Sequence, residues 1–168
     1  MEMRKLFVGA AIAAIVVGVA ACGGSSKPSA SAALTQKDAD LYAIDQIERT
    51  WHKAASTHNV DLMMSLWAPD ATFNIGTETL AGKAQIRAFF EHKAAPFQQQ
   101  NHWLSDTSTY KIRETVNGDK GTLYFECHYI DVKTAKVVSI VGADQNVQRI
   151  NGKWLIVSSA GATPALTP

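Results

Sequence analysis

The sequence predicts an α+β domain, helices first and strands after. From Asp38 to His58 apolar residues recur at helical spacing, whereas beyond Thr107 the period drops toward two. The second half is also punctuated by turn signals, the strongest being Asn151-Gly152. Helices followed by a meander of strands bury their apolar stripes best as a helical layer on one face of a curved antiparallel sheet.

The elements follow in order. Arg4 and Lys5 precede the apolar run Leu6 to Ala21, which meets Cys22 and then Gly23-Gly24-Ser25-Ser26. A basic start, a short apolar run and small residues describe a secretory leader. The run is shorter than the roughly 20 residues that span a bilayer's hydrocarbon core. Val19-Ala20-Ala21-Cys22 resembles a bacterial lipobox, so residues 1–21 are expected to be removed and Cys22 lipidated. That would place the chain across the cytoplasmic membrane and anchored to a lipid surface on its outer side. Residues 22–36, rich in Gly, Ser and Ala, read as a flexible tether. Residues 37–164 are left for one domain.

In the first helix Leu41, Ile44, Ile47, Trp51 and Ala54 or Ala55 form the stripe, with Asp45, Glu48, Arg49, His52 and Lys53 mostly off it. His52 and His58 are therefore expected to face solvent. Asn59 caps a second helix with Val60, Met63, Met64 and Trp67 inward, stopped by Pro69. Ala71 to Ile75 is a short strand. Gly82 to Glu91 is a third helix with Ile86, Phe89 and Phe90 inward, closed before Pro96. Strands follow at Thr107 to Val116, Gly121 to Asp131, Val137 to Ile150 and Trp154 to Val157. The third is long enough to need a bend or bulge near Gly142.

Lys plus Arg (16) balance Asp plus Glu (15) without any charged block, which argues against a nucleic-acid partner. Cys127 has no cysteine left to pair with if Cys22 carries lipid. Five scattered histidines show no metal-ligand spacing, and no phosphate-binding or dinucleotide fingerprint is present, so neither metal nor cofactor is expected.

The segments NVDLMMSLWAPDATFNIG, LAGKAQIRAFF, NGDKGTLYF and NVQRINGKWLI, in that order, resemble the SnoaL-like branch of the nuclear-transport-factor-2-like (NTF2-like) superfamily. The resemblance covers nearly the whole domain beyond the tether. It implies a cone-shaped barrel: a curved sheet wrapped over three helices, an apolar pocket inside, and a homodimer through the outer sheet face. Ketosteroid isomerases of this superfamily place a base aspartate where Ile75 stands here, and an oxyanion-binding tyrosine near Trp51. Scytalone dehydratase places two histidines where His102 and His128 stand, but its aspartate aligns with Ala55 or Ser56.

His102 and His128 are thus the candidate catalytic pair, sharing a water as general acid and base with Asp106 or Glu126 orienting one of them. The alternative is two unrelated histidines. Glu126 and His128 share the strand face opposite Leu123, Phe125, Cys127 and Tyr129, so His128 turns outward if the apolar face lines the core. Trp51, Trp67, Phe73, Phe90 and Trp103 are expected around the cavity, where plain core packing is equally available to them. Asp144 and Asn146 would give that cavity polar groups. The leading expectation is binding of a small apolar or aromatic molecule. A cofactor-independent dehydratase, isomerase or cyclase and a non-catalytic interaction module are the alternatives.

Overall fold

A computed structural model describes residues 29–107 and 111–162. The leader and Cys22 lie outside the described residues. No helix within them is long and apolar enough to cross a membrane.

Helix α1 (Ala30–Ser56) begins further back than expected, inside the stretch read as a tether. The Ser29 hydroxyl accepts from the Ala32 N–H, and an alanine-rich first turn then propagates. A short α2 (Val60–Met64) follows, capped by Asn59 as expected through its side chain to the Leu62 N–H at 2.8 Å. Pro69 does not end α2: the helix stops at Met64, and Trp67 opens strand β1 (Trp67–Ile75), which contains the proline. Next come β2 (Glu78–Ala81), too short to have shown in the sequence, and α3 (Gly82–His92). A 3-10 turn (Ala95–Phe97) leads to β3 (Trp103–Asp106), β4 (Arg113–Asn117), β5 (Lys120–Asp131), β6 (Lys136–Ile150) and β7 (Lys153–Ala162).

The strands form one open sheet in the order β2-β1-β7-β6-β5-β3, with β4 on the same edge of β5 as β3. The sheet is not purely antiparallel. β1 runs parallel to β7, because the chain between them crosses through α3 and all the other strands. Asn151 and Gly152 make the tight β6–β7 turn with φ of 50° and 77°, the left-handed pair that such a hairpin needs. The bend expected at Gly142 lies elsewhere. Gly142 pairs regularly with Glu126 and Ala162, whereas Val138 in β6 and Val157 in β7 are the extra residues at register shifts.

Helix α1 lies in the concave face. Ile44, Ile47, Trp51, Ala54 and Ala55 are buried against Leu123, Phe125, Val147 and Ile156. The contact is close at Gly121, where a Cβ would sit 2.5 Å from the Thr115 carbonyl oxygen and 3.0 Å from Ile44 Cδ1. Farther up α1, Asp40 accepts from Arg149 Nη2 at 2.6 Å and from Trp154 Nε1 at 3.3 Å, fastening the helix to the β6–β7 hairpin. Burial works against the Asp40 carboxylate, but the Arg149, Gln36 and Trp154 hydrogen bonds hold it below the usual carboxylate range.

Candidate functional site

Helices and sheet together enclose a cavity of about 620 Å³. Its walls come from every layer: Trp51 of α1, Phe73 and Ile75 of β1, Phe89 and Phe90 of α3, and Phe97 of the 3-10 turn. The sheet adds Trp103, Cys127, Tyr129, Ser139 to Ala143, and Gly161. Strand alternation puts Cys127 and Tyr129 inward, and the small residues Gly142, Ala143 and Gly161 leave the space empty. Trp51 is the hub, with ring centroids 5.7 Å from Phe90, 5.7 Å from Phe125 and 5.9 Å from Trp67. Phe73 stacks on Phe90 at 5.9 Å and 18°, and Trp103 meets Tyr129 at 6.0 Å.

Four of the five expected aromatics, Trp51, Phe73, Phe90 and Trp103, line this cavity. Trp67 does not; it is fully buried beneath Trp51 and Phe73. Asp144 and Asn146 are also off the cavity. They lie exposed on the outer sheet face, where Asn146 Nδ2 donates to Ser158 Oγ at 2.8 Å. The inward residue of that trio is Gln145, since it alternates with Ala143 and Val147. At 3% exposure its amide has no protein partner at either atom, nor has Ser159 Oγ, its cross-strand neighbour.

The histidine pair does not form. His128 leaves the outer face, as strand alternation requires once Cys127 and Tyr129 line the cavity, and its Nε2 lies 3.0 Å from Glu126 Oε2. His102 is exposed ahead of β3 and contributes nothing to the cavity wall. Glu126 instead anchors a polar cluster on the outer face. It is 1% exposed, with Lys111 Nζ at 3.3 Å and the Tyr124 hydroxyl donating to it at 3.3 Å. Burial pushes its carboxyl up, but the bonds from His128, Lys111 and Tyr124 outweigh this and hold it below its ordinary value.

Two residues expected at the surface are buried inside. Glu48 and His52 are 5% and 7% exposed, because the edge strands β3 and β4 cover the flank of α1 that the sheet leaves open. His52 Nδ1 lies 2.7 Å from Ser105 Oγ. His52 Nε2 lies 3.1 Å from Glu48 Oε1, without the geometry of a hydrogen bond.

Two polar groups facing the cavity, on Cys127 and Tyr129, are held protonated. Burial drives the Cys127 thiol up to about 12 and, with the thiol beside it, raises the Tyr129 phenol well above its usual value. Trp51 Nε1, buried on the same wall, makes no hydrogen bond among the described residues. At neutral pH the wall therefore offers this thiol and phenol as two neutral hydrogen-bonding groups in an aromatic setting, and Lys93, paired with Glu78 at 3.2 Å, adds an ammonium to the lining. Neither the thiol nor the phenol is a ready base or nucleophile. Among the described residues no three His, Cys, Asp or Glu side chains gather as a metal site.

A family model described as the SnoaL-like domain matches residues 48–155. No curated protein sequence matches the chain. Among solved structures, it is similar to an NTF2-like protein with a cystatin-like fold from Novosphingobium aromaticivorans. The TM-score is 0.72 at 17% identity, covering 86% of this chain and 94% of that one. It is similar also to an NTF2-like protein of unknown function from Pseudomonas putida, with TM-score 0.67, 14% identity, and 78% and 98% of the two chains covered. A candidate dehydratase of the NTF2-like family from Streptomyces avermitilis aligns with TM-score 0.60 at 12% identity, over 77% and 99%. At such identities the likeness is one of fold.

Proposed function

The chain belongs to the SnoaL-like domain family, and from that premise we propose that it binds a small aromatic or apolar molecule in its cone. The cavity carries the reading. Its roughly 620 Å³ falls in the range of about 300–1,000 Å³ usual for small-molecule sites. Its lining has the composition of such sites: many aromatic faces and a few polar groups, those of Trp51, Cys127, Tyr129, Ser139 and Lys93.

The test is calorimetric titration with naphthalene-sized probes, against an Ala143→Trp variant. Ala143 is a small side chain on the cavity wall, so an indole there occupies the ligand's volume. Saturable binding that the variant abolishes supports the reading. Equal uptake by both proteins refutes it.

Two further parts of the proposal concern location and assembly. The leader and lipobox support lipidation at Cys22, so Cys22→Ser should release the protein from membrane fractions. For assembly, the support is an apolar strip including Leu104 (50% exposed), Val137 (52%) and Ile140 (41%), which suits pairing through the outer sheet face. A mass measurement over a dilution series, with Val137→Lys as control, tests for that homodimer; a monomer at all concentrations refutes it.

A further inference from the structure

Behind the cavity wall runs a line of buried polar groups that simple apolar binding does not use. Glu48 and His52 sit one turn apart on α1, Ser105 on β3 lies 2.7 Å from His52 Nδ1, and Ser105 is the direct cross-strand partner of Tyr129. Directly opposed residues present their side chains on the same sheet face, so the line ends on a phenol that borders the cavity. Apolar side chains would pack this position without the desolvation cost that a buried carboxylate and imidazole carry.

We propose that His52, acting through Ser105, sets the hydrogen-bonding sense of the Tyr129 hydroxyl, and that with a neutral imidazole the cavity selects an aromatic molecule bearing a hydroxyl donor. This rests on the cavity being a ligand site and names the ligand's class. The argument is one of donors and acceptors. The Glu48 carboxylate beside Nε2 favours the neutral tautomer with its proton on Nε2, leaving Nδ1 as an acceptor. The Ser105 hydroxyl then donates to Nδ1 and accepts from Tyr129, whose remaining lone pairs face the ligand. With His52 protonated the order reverses: Nδ1–H donates to Ser105, Ser105 donates to Tyr129, and the phenol O–H turns to the ligand. His52 is a positioning residue here, and no proton leaves the line. The groups around it are Glu48 on its own helix, Ser105 on β3, and Cys127 and Tyr129 on β5, while Glu114 of β4 feels the charge of Asp45 farther up α1.

The probes are 2-naphthol, its methyl ether and naphthalene, titrated at about pH 8 and about pH 5, on either side of the ordinary imidazole range near 6.5. The wild type should prefer naphthol to the ether by about tenfold at the higher pH, the worth of one hydrogen bond, and lose that preference at the lower. His52→Gln should make the preference independent of pH, and Ser105→Ala should remove it. Naphthalene, with nothing to bond, should bind all three proteins alike and so report an intact cavity. Equal naphthol and ether affinities in the wild type at both pH values, with naphthalene bound, overturn the proposal and leave the ligand site standing. A preference whose pH response survives in His52→Gln also overturns it. Failure of all three probes to bind the wild type sinks the ligand site itself. Should a variant not fold, the wild-type pH response alone decides.

Discussion

Replacing Gln145 by leucine should make the protein more stable. Gln145 is 3% exposed and neither amide atom finds a protein partner. A buried polar group left unpaired costs about 1–3 kcal/mol, and the amide has two such ends. Leucine has a comparable volume, and swaps of similar shape in a core usually cost less than about 1.5 kcal/mol. Subtracting the second from the first leaves a net gain of about 1–2 kcal/mol. For a domain of this size that is roughly 4–8 °C in Tm. The assay is urea denaturation followed by fluorescence of the buried Trp51, Trp67 and Trp154, checked by a thermal melt. Gln145→Glu serves as control: it keeps the shape, adds a charge without a partner, and should destabilise increasingly as pH rises. Destabilisation of Gln145→Leu by more than about 1 kcal/mol would refute the reasoning, because an amide whose loss costs that much is hydrogen-bonded in the native state.

Other outcomes follow from the same geometry. Gly121→Ala drives a methyl into the Thr115 carbonyl and Ile44, so it should cost about 1–3 kcal/mol in chemical denaturation. Asp40→Asn removes the carboxylate beneath Arg149, whose side chain is 25% exposed, and should cost about 2–3 kcal/mol at neutral pH, somewhat below a fully buried pair. The folded Asp40 carboxyl titrates below its unfolded value, so the unfolded chain binds more protons as pH falls. The stability Asp40 supplies is therefore present above the unfolded pKa and is lost as pH drops through the folded one, and Asp40→Asn should flatten the acid limb of stability against pH. Cys127, 1% exposed and with its thiol raised to about 12, should resist alkylation in the native protein and react promptly in urea; fast native labelling would contradict its placement.

The helices were legible because one side of each is apolar, and Asn59 and Asn151-Gly152 marked their cap and turn by residue type alone. The strands were legible only in part. β2 and β3 are four residues each, too short to show a period. The parallel β1–β7 pairing joins chain ends that no local pattern connects. On the site, alternation in β5 stated the condition that turns His128 outward, and the same rule applied to Ala143, Gln145 and Val147 would have chosen Gln145 over Asp144 and Asn146. Glu48 and His52 could not be placed this way. A single-stripe reading of α1 assumes one buried side, and β3 and β4 supply a second.

The path of α1 also gives the domain a direction. Residues 30–39 project as bare helix, the Asp40 clasp follows, and Trp51 reaches the cavity. From Asp40 to Trp51 the helix advances about 16 Å, at about 1.5 Å per residue. The N-terminal end of α1 and the cavity thus lie well apart along the helix. A support holding the N-terminal end would keep the cavity clear of its surface. A guest would then arrive as a dissolved solute, and the exposed stretch of helix would serve as a standoff of about 15 Å.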